Sequence, residues 1–259
     1  MPIIDFTSRF GKPIFQRYKV NVGSQVSIEY EVDGKVAALE ISALGYRGYN
    51  FMSPDAPLNV SSKAVDQLLE CLLPGITTNG VAHETVISTT YPGFSREVRR
   101  LPATVLNRDY PLREDRSKMI AATVTINASE LSDALYRIIS SFRTREYEQF
   151  NAGIGLRVEV EYAADGSIQW LAIVTNTSPL AHNDYATPIE QTPAERLLDG
   201  LLPKSIRGGK PQRSVFASGA LTVKRERYGH ATISRHYVNE QMIALGASWP
   251  MDLSLLNRE

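Results

Sequence analysis

Cysteine is almost absent from this chain, which has a single one, Cys71, among 259 residues. No disulfide can form within the chain, so a small secreted scaffold held together by disulfides is excluded. Cys71 lies among leucines in LLECLLP and is predicted to be a small buried apolar residue. Long apolar runs are missing too, since no segment approaches the ~20 residues needed to span a bilayer. Because residues 1–15 also lack an apolar stretch of signal-peptide length, we expect a soluble, cytoplasmic protein with no membrane partner.

Standard catalytic and cofactor motifs are also absent. The sequence has no GxGxxG, GxxxxGK[ST], HExxH, CxxC, GxSxG or EF-hand pattern. The run Arg207-Gly208-Gly209-Lys210 has the composition of a phosphate-binding loop, but the leading glycine of a Walker motif would fall on Lys204. The two histidines that lie close in sequence, His230 and His236, would stand ~20 Å apart on one strand unless the chain turns at Gly229. We therefore predict no cofactor and no metal site, and the sequence favours a non-enzymatic protein.

An excess of charge of one sign is lacking overall, because 28 basic and 28 acidic residues cancel. A uniformly basic nucleic-acid coat is thereby excluded. One segment is nevertheless basic: Lys204 to Arg235 contains eight basic residues and one acid, Glu226, and so carries a net charge of +7. The rest of the chain carries the balancing negative charge.

The sequence contains an internal repeat. Val26–Gly34, VSIEYEVDG, aligns without a gap with Val158–Gly166, VEVEYAADG. Further along, AVDQLLECLLP at 64–74 aligns with PAERLLDGLLP at 193–203, and four leucines are repeated. The offset between the copies is nearly constant, which indicates a duplication.

Two further correspondences support the repeat. The acidic residues of the second match keep their places, because Asp66 corresponds to Glu195. A third match joins Ala103-Thr104-Val105 and Tyr110 to Ala231-Thr232-Ile233 and Tyr237.

Each copy is predicted to be a ββαββ unit. Apolar and acidic residues alternate over 26–32, which is the period of a half-buried strand, and Asp33-Gly34 is typical of a two-residue hairpin turn. Apolar residues at helical spacing then predict a helix over 62–73 in the first copy and over 192–202 in the second. Thr192 and Glu195 have the spacing of a capping box.

Two strands are predicted after each helix. The ranges are 81–90 with 96–106 in the first copy and 213–223 with 224–234 in the second.

Between the copies, Met119–Ile126 is predicted to be a strand and Asn127 to about Phe150 a linking helix. The predicted fold is therefore α+β, with an internal duplication of a ββαββ unit, two antiparallel sheets each backed by a helix, and a linking helix that joins them. The predicted domains are a first α+β repeat at 1–118, the linking strand and helix at 119–150, and a second α+β repeat at 151–259.

Acidic residues recur at outward-facing strand positions, at Glu29, Glu31, Glu159 and Glu161. A solvated sheet face accounts for them better than an acid/base pair does.

The basic segment supplies the candidate site. Clustered cations bind polyanions because the release of condensed counterions is favourable. The predicted nucleic-acid contacts in the second copy are Lys204, Arg207, Lys210, Arg213, Lys224, Arg225 and Arg227. Arg96 and Arg99 are added from the first copy, because they align with Lys224 and Arg227. The alternative interpretation is an edge strand protected from aggregation by its cations, or an interface with the acidic surface of a neighbouring copy.

Three functions follow as hypotheses. The first is a non-enzymatic binding or assembly protein that contacts nucleic acid through the basic hairpin of the second repeat. The second is a structural subunit of a ring, tube or virion, as expected for a viral or mobile-element protein that forms homo-oligomers. The third is a metal-independent nuclease that uses His230 or His236.

Overall fold

A computed structural model describes residues 6–21, 23–31, 33–43, 60–73, 85–91, 94–101, 104–111, 116–126, 144–176, 187–202, 209–229 and 231–249. Among these residues, 63% lie in strands and 16% in helices. The helices in this part of the chain are α1 (Phe6–Phe10), α2 (Ser62–Leu72) and α3 (Gln191–Leu201). The first nine strands are β1 (Phe15–Asn21), β2 (Ser24–Tyr30), β3 (Val36–Ala43), β4 (Val60–Ser61), β5 (Thr85–Tyr91), β6 (Phe94–Leu101), β7 (Thr104–Pro111), β8 (Lys118–Met119) and β9 (Ala121–Ile126). The others are β10 (Thr144–Gly153), β11 (Leu156–Tyr162), β12 (Ile168–Thr175), β13 (Gln212–Ser218), β14 (Leu221–Tyr228), β15 (Ala231–Val238) and β16 (Gln241–Ser248).

The chain divides into two compact units, and the first of them is Ile14–Arg145. Its seven longer strands pair antiparallel in the order β1-β2-β3-β9-β7-β6-β5, and the short strands β4 and β8 form a separate pair. Helix α2 packs on one face of this sheet because Val65, Leu69 and Leu72 recur at helical spacing and form a buried stripe. The stripe contacts sheet residues such as Ile28 and Leu106 in one hydrophobic core.

The second unit combines Met1–Pro13 with Glu146–Glu259. Its strands follow the order β10-β11-β12-β16-β15-β14-β13, and α3 packs on them through Ala194, Leu198 and Leu201. Helix α1 also belongs here, because the Phe6 ring stacks on Phe150 with 5.6 Å between ring centroids. A guanidinium nitrogen of Arg9 donates a hydrogen bond of 2.7 Å to the carbonyl oxygen of Gly200.

The two units have the same order of elements: three strands, a helix and four longer strands. Even an irregularity is repeated, since the register of β2 with β3 shifts between Glu29 and Tyr30, and that of β11 with β12 shifts between Glu161 and Tyr162. Helices α2 and α3 therefore occupy equivalent positions in the two repeats.

The predicted α+β class is wrong. The described chain is mostly β, and each unit has seven longer strands where a ββαββ unit has four. The predicted pair of ββαββ sheets, each backed by a helix, therefore does not form. Part of the error lies in β1 and β10, which come before the predicted hairpins. In β1, FQRYKVN, the polar Gln16 is buried next to the buried Phe15, so the strand lacks a simple period of two.

The prediction also missed strands after each helix, because tight turns separate them. The turn between β13 and β14 lies at Gly219, with φ of +57°, and the turn between β14 and β15 lies at Gly229, with φ of +53°. A third turn places Asn239 and Glu240 at positive φ. We predicted one strand boundary in this region, between 223 and 224, which is in the middle of β14. Such tight turns interrupt the alternation so briefly that neighbouring strands resemble one long strand.

The linking helix was also predicted incorrectly at its end. Thr144–Gly153 is strand β10, in which the buried Phe150 pairs with Val158, so no helix extends to Phe150. Residues 127–143 of the predicted helix lie outside the described residues.

Two local predictions also need correction. Cys71 is exposed rather than buried, because the buried stripe of α2 runs through positions 65, 69 and 72 and leaves 71 on the opposite side of the helix. The turn at Asp33-Gly34 is longer than predicted, because β2 ends at Tyr30 and β3 begins at Val36. Gly34 does adopt positive φ, at +83°.

Candidate nucleic-acid interface

Strands β13 and β14 form the basic hairpin, which lies at one edge of its unit. Its register pairs Gln212 with Arg227 and Ser214 with Arg225, and β14 pairs in turn with β15. Successive side chains of a strand point to opposite faces of a sheet. One face of the hairpin therefore continues the face of the sheet on which α3 packs, and we call it the helix face; the opposite face carries Arg225 and Arg227. We call the latter the arginine face.

A shallow groove of about 360 Å³ lies on the arginine face. Both arginines line it, and their side chains are exposed. The other lining residues are uncharged hydrogen-bonding side chains from three neighbouring strands, β13, β15 and β16: Gln212, Ser214, Thr232, Ser234 and Ser248. The groove thus combines two cations with several hydroxyl groups.

The charge of this groove is not neutralised by the residues that line it, since none of them is acidic. The Arg227 side chain donates one long hydrogen bond, 3.4 Å, to the carbonyl oxygen of Gly229. Beside the groove, burial and the positive charge of Arg225 lower the pKa of His236. The imidazole is therefore neutral at pH 7, and the arginines supply the positive charge.

Cations on the helix face have a different environment. Arg213 pairs with Glu226 at 3.0 Å, and the ammonium of Lys224 lies 4.7 Å from the centroid of the Tyr237 ring. Although burial acts in the opposite sense, hydrogen bonds from Arg235 and Arg213 hold the pKa of Glu226 below its usual value. Much of the positive charge on this face is therefore engaged within the protein.

Arg235 links α3 to the sheet. It donates hydrogen bonds to Glu195 at 2.6 and 3.2 Å and to Glu226 at 3.0 Å. The predicted capping box is consequently wrong: Glu195 binds Arg235, the cap position of α3 is Glu190, and no side chain caps the helix. The repeated acidic position at Asp66 and Glu195 thus serves to fasten a helix to its sheet.

The first repeat has the same arrangement. Arg108 donates hydrogen bonds to Asp66 of α2 at 2.8 Å and to Glu97 of β6 at 3.3 Å. Because Arg108 corresponds to Arg235, each helix is held by an arginine between two carboxylates.

The first-repeat arginines are placed differently from those of the groove. Arg96 forms a bidentate ion pair with the buried Asp109, at 2.7 and 2.9 Å. Arg99 lies on the α2 side of β6 and is half-buried. The strand registers make Arg96 equivalent to Val223 and Arg99 equivalent to Glu226, so our alignment of these arginines with Lys224 and Arg227 was shifted.

Asp109 itself titrates unusually. Burial and the neighbouring Glu40 carboxylate raise its pKa to about 7, although the two hydrogen bonds from Arg96 favour its charged form.

The acidic strand residues do not all face solvent as predicted. Glu159 is buried and forms an ion pair of 2.8 Å with Arg157, and the two side chains are 2% and 3% exposed. The partner lies two positions earlier on the same strand face, which the acidic pattern alone did not indicate.

The remaining predicted contacts lie at or beyond the end of the hairpin. Lys210 is exposed just before β13, and Lys204 and Arg207 lie outside the described residues. His230 lies outside them as well. Within the described part of the chain, no three potential metal ligands come together, and no helix is long and apolar enough to cross a bilayer.

The hydroxyl residues of the groove were not predicted from the sequence. Serine and threonine on strands have no distinctive pattern, and only the strand register brings Ser214, Ser234 and Thr232 beside the arginines. The alternation of β14 was a usable signal, because Arg225 and Arg227 share a face that Lys224 and Glu226 do not.

Comparison with known proteins identifies no relative: no family model matches, and no curated protein or solved structure is significantly similar.

Proposed function

We propose that this protein is a non-enzymatic binding protein that contacts nucleic acid through the basic hairpin of its second repeat. The observation that carries the proposal is the groove of the arginine face, where Arg225 and Arg227 lie among hydroxyl side chains and no acid. In the first repeat, by contrast, Arg96 is bound to the carboxyl group of Asp109 at 2.7 Å.

The chemistry of the groove suits phosphate. A guanidinium donates two parallel hydrogen bonds to phosphate oxygens, and serine and threonine hydroxyls add single donors. Phosphate contacts position a nucleic acid and supply the part of the affinity that depends on salt. Because the chain has no net charge, this attraction is local to the hairpin.

Two further parts of the proposal concern the chain that precedes the groove and the location of the protein in the cell. Lys204, Arg207 and Lys210 are proposed to extend the basic surface along the chain that leads into β13. A cytoplasmic location is proposed as well, where the exposed Cys71 thiol would stay reduced.

Replacing the two groove arginines together tests the proposal. Arg225→Gln with Arg227→Gln should weaken the binding of every oligonucleotide nearly equally, because phosphate contacts carry no sequence information. The slope of log K against log salt should fall by roughly 1.4–1.8 units, at ~0.7–0.9 per contact. Fluorescence anisotropy between about 50 and 200 mM salt measures both.

A matched control lies on the other face of the same hairpin. Arg213→Gln with Lys224→Gln removes the same charge, but from groups engaged by Glu226 and Tyr237. Its salt slope should stay close to that of the parent. Equal losses in the two double variants would assign the effect to net charge and contradict the groove, and a parent with no affinity for oligonucleotides would refute the proposal.

A second candidate function, the structural subunit, is favoured by one observation. All seven residues of β13 are exposed, including Val215 at 67%, and β13 is the last strand in its unit's order. An exposed apolar edge can pair with a strand of another copy, so a homo-oligomer is the matching proposal. Light scattering should then show an oligomer that Val215→Lys converts to monomer. The nuclease hypothesis has no comparable observation in its favour.

A further inference from the structure

Phe216 is the most exposed aromatic residue among those whose side chains the structure describes, at 55%. It lies on β13 at the same alternation as Ser214 and therefore on the arginine face. An apolar ring left in water beside two cations has no role in the core of its own unit. Exposed apolar groups with polar surroundings often mark binding sites.

The strand registers place Phe216 in an ordered array with the groove. Residues paired across strands form three parallel rows on the arginine face, and consecutive rows are ~6.7 Å apart, two residues along a strand. The first row is Phe216, Val223, His236 and Ala244; the second is Ser214, Arg225, Ser234 and Gly246; the third is Gln212, Arg227, Thr232 and Ser248. The row with Arg225 thus lies directly beside the row with the two rings, and the row with Arg227 follows it.

This array combines the two groups that recognise an unpaired strand. Bases stack on exposed aromatic rings, and arginines in the next two rows are placed to bind the sugar-phosphate chain that runs past them. His236 contributes a second ring in the same row as Phe216, two strands away.

A duplex does not fit the same surface as well. The major groove of B-DNA is ~12 Å wide and admits a two-stranded ribbon. The polar residues here extend over four adjacent strands, β13 to β16, with ~4.8 Å between strands, which makes the surface wider than that groove. The bases of a duplex are also stacked inside and cannot lie on Phe216.

We infer that the arginine face binds single-stranded nucleic acid, with a base stacked on Phe216 and phosphates held by Arg225 and Arg227. This inference rests on the proposed function, since it names the kind of nucleic acid that the same hairpin takes. Stacking is tolerant of base identity, so little sequence preference is expected.

The test compares two substitutions on one strand. Phe216→Ala should weaken the binding of a single strand of about 12 nucleotides by roughly 5- to 150-fold, the range seen for one lost stacking contact. Val215→Ala is the matched control, because its side chain is similarly exposed but points to the helix face. Its affinity should stay within about twofold of the parent.

A second probe separates stacking from phosphate binding. An abasic oligomer of the same length offers phosphates without bases, so the parent and Phe216→Ala should bind it equally, with unchanged salt slopes. Arg225→Gln with Arg227→Gln should instead weaken the binding of both oligomers.

Several results would overturn the inference. If Phe216→Ala leaves single-strand affinity unchanged while the arginine variant loses it, the proposed function stands and the stacking site does not. If the parent protein binds a duplex more tightly than a single strand, the arginine face is a duplex-binding surface and the inference is wrong. If Val215→Ala and Phe216→Ala weaken binding equally and both change the oligomeric state, the strand is an interface between copies.

Discussion

The two repeats place different groups at one equivalent position. As a result, an arginine is bonded to a carboxyl group in the first repeat, whereas the arginines of the second repeat line a groove that contains no acid. In the first repeat the position is Asp109, whose carboxylate receives two hydrogen bonds from Arg96. In the second repeat it is His236, which is neutral and leaves the nearby Arg225 without a carboxylate in the groove. Identical strand orders thus give one repeat an internal ion pair and the other a groove lined by two arginines and no acid.

What the repeats share is equally informative. Each has a leucine stripe on its helix and an arginine held between two carboxylates, Arg108 in one and Arg235 in the other. Arg235 contributes to the +7 charge of the basic segment, yet its contacts are structural. A count of charges along a sequence therefore overstates the number of cations available to a ligand.

The largest expected effect tests the shared core. Leu69→Ala and Leu198→Ala should each lower the free energy of unfolding by about 2–5 kcal/mol, because both side chains are fully buried and leave a cavity. Urea unfolding monitored by circular dichroism measures this loss. A large cost in one repeat and none in the other would show that the helices are not equivalent supports.

A smaller effect is expected from the helix-anchoring arginines. Arg108→Met and Arg235→Met should each cost about 1–3 kcal/mol, because two partly buried carboxylates lose their donor. Arg227→Met, which removes an exposed arginine from the groove, is the control and should leave stability nearly unchanged. Stability retained in Arg235→Met would contradict the anchoring role.

The dependence of stability on pH should differ in sign between the repeats. The pKa of Asp109 is raised to about 7, so its contribution to stability is complete below pH ~4 and is lost as the pH rises through 7. The pKa of His236 is lowered, so its contribution is complete above pH ~6.5 and is lost as the pH falls below that value.

Two neutral substitutions separate these contributions. In urea unfolding between pH 4.5 and 8, Asp109→Asn should reduce the loss of stability at rising pH, and His236→Asn should reduce the loss at falling pH. Unchanged pH profiles in both variants would argue against the two pKa shifts.

The smallest expected effect exchanges the groups that distinguish the repeats. His236→Asp introduces a carboxylate at the position of Asp109, near Arg225, and should remove about one of the proposed phosphate contacts. The salt slope of oligonucleotide binding should fall by ~0.7–0.9 units. His236→Asn is the control without charge, and a similar loss there would show that the ring, and not the missing acid, matters.

The sequence predicted well those elements whose pattern is local. Helices α2 and α3 begin and end within about a residue of the predicted ranges, because their leucines repeat at helical spacing. The hairpins at Gly34 and Gly166 were found because their signal is local too: alternating strand residues are followed by Asp-Gly. Both glycines adopt positive φ.

The failures concern strands and pairs that depend on distant residues. Strand β10 carries a buried Phe150 among polar side chains, and Glu148 and Gln149 are buried beside it, so its sequence lacks the alternation that would have indicated a strand. The pairing of Arg96 with Asp109 follows from the register of β6 with β7, which composition does not reveal. The basic hairpin was located from charge alone, but which of its cations share a groove required the strand alternation.

Helix α1 also bears on the order in which the chain assembles. Its residue Arg9 is hydrogen-bonded to Gly200, 191 positions away, and its residue Phe6 stacks on Phe150. During synthesis, α1 leaves the ribosome long before the strands on which it packs have been made, so this contact forms late. The contact also raises the contact order of the second unit. A fragment that begins at residue 146 would lack Phe6 and expose the ring of Phe150. A chain shortened by its first ten residues should therefore aggregate more readily during refolding than the full chain does.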